Sequence, residues 1–172
     1  MTQLVIFAYG NPSRGDDALG PQLLDLIEIY WQQKAKSNTQ DQQTEKNNIE
    51  FIEDFQLQIE HALDLEHRDL ALFIDASVSC PHPYCFTRLH AVQDDSYTTH
   101  ALHPAAVLYV YQQATAQLPP PAFLLTVRGE AFELGTPLSA MASENLTAAF
   151  TFLTQLIENI DINDWQDNEQ KV

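Results

Sequence analysis

Apolar runs of five to seven residues alternate along this chain with longer stretches in which apolar residues recur at helical spacing. Leu4-Val5-Ile6-Phe7-Ala8 is a continuous apolar run, the pattern of a strand buried on both faces. From Leu19 to Trp31 the apolar positions Leu19, Leu23, Ile27 and Tyr30 fall on one side of a helix. The stretch from Lys34 to Asn48 then loses all apolar periodicity and turns into Gln, Asn, Thr, Ser and Lys, which predicts a polar surface insertion. Ile49 to Phe55 alternates apolar and acidic residues, a strand with one wet face, and Gln56 to His67 is expected to be helical.

Leu70-Ala71-Leu72-Phe73-Ile74 is a second continuous run, and it delivers Asp75 at its end. A loop punctuated by Pro81 and Pro83 leads to a further strand over Cys85 to His90. Pro104 predicts the opening of a helix that closes over Gln113 to Gln117, because proline fits a first helical turn. Three prolines, Pro119 to Pro121, stiffen the approach to the last strand, Phe123 to Val127, which ends at Arg128-Gly129-Glu130. Ser139 to Ile160 carries the longest helical stripe, and residues 161–172 read as an acidic, frayed tail.

Strands alternating with helices predict an α/β three-layer sandwich: a mostly parallel twisted sheet of about five strands with helices on both faces. With 172 residues the chain is expected to be a single domain, interrupted by the polar insertion near 34–48. The formal net charge of -16, from 24 acidic and 8 basic residues, makes nucleic acid and anionic membranes poor partners. No run is long enough to span a bilayer and the N-terminus lacks a secretory signal, so the expectation is a soluble, cytoplasmic monomer. Cys80 and Cys85 are too few for a disulfide framework. With His82 and His90 nearby they lack the spacing and second pair of a zinc clip, which leaves free thiols.

The segment Gly10-Asn11-Pro12-Ser13-Arg14-Gly15-Asp16-Asp17 has the glycine separation of a phosphate-binding loop, yet Asp16 stands where such a loop needs lysine. Two carboxylates would repel a phosphate and attract a cation. One of the pair is expected to cap the following helix, since an aspartate oxygen accepts first-turn N–H groups; the other is then spare. In an open α/β sheet ligands gather at the carboxyl ends of the strands, where Asp17, Asp75 and His100 would all fall. Two carboxylates and an imidazole form an oxygen and nitrogen set suited to zinc, nickel or manganese. His103 is an alternative ligand one helical turn on, whereas His61 and His67 are expected on an exposed helix. Ser13, Cys80 and Cys85 lack the placed base that nucleophilic catalysis requires.

These residues resemble the hydrogenase maturation proteases, the endopeptidases that trim the C-terminal extension of a nickel–iron hydrogenase large subunit. The likeness runs through Gly10-Asn11, Asp16-Asp17 and Gly20, then Phe55-Gln56-Leu57-Gln58, Phe73-Ile74-Asp75-Ala76, Thr99-His100-Ala101-Leu102, Arg128-Gly129-Glu130 and Phe132-Glu133-Leu134-Gly135. It looks most like the branch serving soluble, NAD-linked bidirectional hydrogenases. The resemblance implies a nickel-loaded large-subunit precursor as partner and substrate, and Asp17, Asp75 and His100 as metal-contacting positions. It leaves open whether the metal is a resident divalent ion or the substrate's own nickel. Asp16 is then expected either to cap or to activate water. Ala18 stands where the family usually has Gly, and Asp17 where it often has Glu. A non-catalytic nickel-sensing assembly chaperone is the alternative that the same residues would serve.

Overall fold

The computed structural model describes residues 1–37, 47–93 and 102–170. The elements run β1 (Gln3–Tyr9), a 3₁₀ turn (Gly15–Ala18), α1 (Leu19–Ser37), β2 (Asn48–Asp54), a second 3₁₀ segment (Ile59–Leu65), β3 (Leu70–Ser77), β4 (Tyr84–Leu89), α2 (Pro104–Thr115), β5 (Ala122–Arg128), α3 (Ala140–Glu158) and α4 (Ile162–Asp167). Five strands form one sheet in the order β2-β1-β3-β5-β4. β1 pairs in parallel with β2 and β3, β3 in parallel with β5, and β4 antiparallel with β5. The expected three-layer, mostly parallel sheet is therefore what the chain forms.

Side chains alternate across the strands and divide the core in two. Leu4, Ile6 and Ala8 of β1, with Leu70, Leu72 and Ile74 of β3, face α1, α3 and α4. Val5, Phe7, Tyr9, Ala71 and Phe73 face the second 3₁₀ segment and α2. Phe7 and Phe73 are register partners and stack at 4.7 Å on that second face. Because β1 sends its connection towards β2 and the chain then returns to β3 on the other side, the strand order reverses between β1 and β3. Open α/β sheets have their ligand crevice at such a reversal.

Three expectations are corrected here. Helix α1 continues to Ser37, six residues past Trp31, so the polar insertion begins inside a helix; residues 38–46 lie outside the described residues. The stretch Gln56–His67 is not an α-helix but a seven-residue 3₁₀ segment, Ile59–Leu65, opened by a reciprocal cap. There His61 Nδ1 accepts from the Gln58 N–H at 2.8 Å while its ring lies edge-on to Phe7, so His61 is buried rather than exposed. The segment 161–170, expected to fray, forms α4. Asp161 caps it, and Trp165 is fully buried with its ring 5.5 Å from Phe123 and its Nε1–H donating to the Leu156 carbonyl. Burial of an indole outweighs the entropy of ordering two polar turns.

Candidate active site at the carboxyl edge of the sheet

β1 is followed by Gly10, whose φ of +147° is open to glycine and costly for other residues. A Cβ there would lie 2.1 Å from the Asp17 carbonyl oxygen, so the strand end and the Asp17 turn are in direct backbone contact. Gly10 N–H donates to the Asp54 carbonyl at 3.2 Å, which ties this turn to the end of β2 as well. Asp17 does not cap α1: its Oδ2 instead accepts the Asn11 N–H at 2.8 Å, closing the loop on itself. Its side chain is half-buried at the rim.

Asp75 lies within β3, in register with Thr126 of β5. Alternation from Ala71 and Phe73 puts Asp75 on the same face as Tyr9, Thr126 and Arg128. Burial is the main cause that lifts its pKa, to about 6. The Ala76 N–H, donating to Oδ1 at 2.7 Å, and the Tyr9 hydroxyl pull the other way, while the Asp17 carboxylate pushes it up further. Tyr9 is itself held protonated by burial and by the Asp75 charge. Its hydroxyl lies beside Asp75 without meeting hydrogen-bond geometry there, a buried polar group lacking a partner. Two carboxylates that repel each other make a donor set that a cation would satisfy.

Asp16 is where the structure departs most from expectation. The side chain is fully buried and makes no cap to α1, and neither carboxylate oxygen is left for a water. Oδ2 accepts the N–H groups of Glu130 and Ala131 at 2.8 and 3.0 Å and the Ser139 hydroxyl at 2.8 Å, while Oδ1 accepts the Ser139 N–H at 2.7 Å. Burial raises its pKa, but these donors outweigh burial and hold the carboxyl below its usual value. Both the capping and the water-activating readings of Asp16 are thereby replaced by a third: the residue ties the loop after β1 to the loop after β5. Gly15, at φ +53°, supports the same tie, since a Cβ there would lie 2.4 Å from the Ala131 carbonyl oxygen.

His100 lies outside the described residues. Helix α2, which follows it, packs on the Asp75 face through Val107, Leu108 and Tyr111. His103, the alternative ligand, is the N-cap of α2, its Nδ1 accepting the Ala105 N–H at 3.1 Å. Among the described residues no three His, Cys, Asp or Glu side chains converge as a metal cluster. Cys80 and Cys85 are buried free cysteines.

Tyr9, Ser139 and Asn145 are neighbours of the candidate site that the sequence did not single out. Asn145, nearly fully buried on α3, donates to the Arg128 carbonyl at 2.9 Å and so fixes the end of β5. Arg128 in turn donates from Nη1 to the Cys80 carbonyl at 2.8 Å. Ser139 had a signal, a serine directly ahead of a long apolar stripe, and it does cap α3 through its Oγ. Its second partner, Asp16, is 123 positions away and had none.

Solved structures with this arrangement of strands and helices carry consistent descriptions. A NiFe hydrogenase maturation protease, HycI, from Thermococcus kodakarensis KOD1 superposes with a TM-score of 0.64 at 18% identity, covering 92% of this chain and 94% of that one. The hydrogenase maturating endopeptidase HybD of E. coli gives 0.60 at 20% identity, over 91% and 93% of the two chains. The fold is that of the hydrogenase maturation proteases. A hydrogenase 2 maturation peptidase from a Thaumarchaeota archaeon shares it as well, at a TM-score of 0.56 and 17% identity, over 90% of this chain and 97% of that one. No family model and no curated protein matches the sequence, so the likeness rests on the three-dimensional arrangement. No helix among the described residues is long and apolar enough to cross a membrane.

Proposed function

We propose that the protein is an endopeptidase that removes the C-terminal extension of a nickel-loaded nickel–iron hydrogenase large-subunit precursor. The observation that carries this reading is the placement of Asp17 and Asp75. They come from the ends of β1 and β3 at the strand-order reversal, close enough for one charge to raise the other's pKa, in the fold of the maturation proteases. The pair grips the precursor's own nickel, whose positive charge offsets their mutual repulsion. His100, which precedes the helix packed on the same face, supplies the third contact.

Gripping the metal holds the precursor tail in one orientation, so that hydrolysis gains from fixed geometry. In that hydrolysis the oxygen of a water bonds to the scissile carbonyl carbon, the C–N bond breaks, and the departing nitrogen takes up a proton. Asp16 takes no part in these transfers, because its oxygens are already committed to four donors. It ties the loop that carries Asp17 to the loop after β5.

The test is to mix the protein with a nickel-loaded large-subunit precursor and weigh the products. Release of a C-terminal peptide, abolished in Asp75→Asn and in His100→Ala, is the expected result. Stable co-purification with an unshortened precursor would overturn the peptidase reading in favour of a nickel-sensing assembly chaperone.

A further inference from the structure

Most of the surface obeys the ordinary division, with apolar residues inside. Helices α2 and α3, thirty-one residues long together, expose no large apolar side chain. Leu26 and Ile29 on α1, Val92 and Leu118 are exposed singly or in pairs, whereas the loops at the carboxyl edge of the sheet expose several together. Phe55 after β2 is 66% exposed, Val78 after β3 is 55% exposed, and Leu134 in the loop after β5 is 73% exposed. Ile59 and Leu63, on the 3₁₀ segment that follows β2, are exposed too. Single exposed apolar residues are unremarkable, but a set gathered at one end of a sheet marks a surface that something covers.

Phe55, Val78 and Leu134 each adjoin a residue whose backbone hydrogen bond links these loops to the Asp17 turn or to the end of the Asp75 strand. Phe55 directly follows Asp54, whose carbonyl accepts the Gly10 N–H. Val78 directly follows Ser77, the last residue of β3, whose carbonyl accepts the Gly129 N–H. Leu134 directly precedes Gly135, whose N–H donates to the Ser13 carbonyl at 2.7 Å. These three therefore stand on loops at the same carboxyl edge of the sheet as the carboxylate pair. The same strand ends and loops carry Glu53, Asp54, Glu130 and Glu133, with Arg14 and Arg128 as cations; Arg14 Nε donates to the Phe132 carbonyl and Arg128 Nη1 to the Cys80 carbonyl.

We propose that Phe55, Val78 and Leu134 form a docking collar for the precursor. They take an apolar stretch of its chain that flanks the cationic metal centre, while the acidic residues of the same strand ends and loops match the positive charge carried at that centre. This rests on the function proposed above and adds the chemistry by which the substrate protein is recognised. Affinity comes from the apolar collar, and the carboxylate pair acts on the metal.

The experiment measures the affinity of nickel-loaded large-subunit precursor for immobilised protein alongside the kcat and KM of processing. The proteins compared are the wild type, Phe55→Ser, Leu134→Ser, the double variant, and Leu118→Ser as a control. Leu118 is 82% exposed, but it lies ahead of β5 at the opposite edge of the sheet. All five should keep the same melting temperature, because the substituted side chains make little contact with the core. Each collar substitution should weaken affinity and raise KM about tenfold, the double about a hundredfold, with kcat unchanged and Leu118→Ser without effect. Collar variants that bind and process like Leu118→Ser would overturn the collar and leave the peptidase standing. Collar-dependent binding with no processing would keep the collar and remove the peptidase, and absence of both would remove both.

Discussion

Asp16 and Asp75 sit at the same edge of the same sheet, and burial pushes both pKa values up, yet they end on opposite sides of the usual carboxylate value. Asp16 receives four hydrogen bonds from the loop after β5 and is held below it. Asp75 receives one backbone hydrogen bond, faces the Asp17 charge, and rises to about 6. Burial is the largest cause at both, and four donors outweigh it at Asp16 whereas the donors at Asp75 do not. A carboxylate saturated with donors is a structural bolt; one left with a like charge beside it holds an unmet demand for a cation.

The comparison breaks most visibly at Asp75. Asp75→Asn should reduce processing of the nickel-loaded precursor by about a thousandfold or more, read by mass spectrometry, because it removes a charge contact that acts on the metal. The same change should leave the metal-free protein as stable as the wild type at pH 7 or more so, since it removes a buried like-charge repulsion. A collapse of stability in urea would mean that Asp75 is structural. Asp16→Ala should do the reverse, costing about 4 kcal/mol in urea unfolding by stranding buried donors. Any loss of processing should then track the loss of folded protein.

Acid titration of the metal-free protein separates the two in a single sample. The folded pKa of Asp16 is depressed, so its stabilisation is present above the unfolded carboxylate pKa and is lost as pH falls through the folded value. For Asp75 the folded pKa is raised, so its contribution is fully present below the unfolded value and is lost as pH rises towards about 6. A rise from 3.8 to about 6 corresponds to about 3 kcal/mol, so the urea midpoint of the wild type should fall between pH 4 and 6 by more than that of Asp75→Asn. Identical profiles would remove the contrast.

Smaller effects should come from the backbone that supports the bolt. Gly15→Ala puts a Cβ 2.4 Å from the Ala131 carbonyl oxygen at a positive φ, and should cost about 2 kcal/mol in thermal or urea unfolding. His103→Ala removes the N-cap of α2, the role that one of Asp16 and Asp17 was expected to play for α1 and neither does. It should cost about 1 kcal/mol by the same measurement.

The alternation of apolar runs with helical stripes located every strand and the α1, α2 and α3 helices, because burial against a sheet imposes periods of 2 and 3.6 on any sequence that folds this way. The errors fell where a single residue outweighs the local pattern. Trp165 pulls an acidic, polar segment into α4 by packing against Phe123 and Phe86, and a window of polar neighbours hides that one anchor. His61 is buried because its ring nitrogen caps the segment it belongs to, which composition does not reveal. At the site, Asp17 and Asp75 were legible as acids at two strand ends, whereas Tyr9, Ser139 and Asn145 were not, since their roles depend on partners far along the chain.

The sequence by itself determined the order of strands and helices, the edge of the sheet where chemistry gathers, and the acidic character of that edge. These follow from local periodicity and from charges that no folding alters. Tertiary structure alone decided which of two adjacent aspartates is the buried bolt and which stays half-buried at the rim of the sheet. That choice depends on the loop after β5, more than a hundred residues away, delivering its N–H groups to Asp16 and none to Asp17. Hydrogen bonding is short-ranged and directional, so the partners of a carboxylate are set only when the chain has folded back on itself.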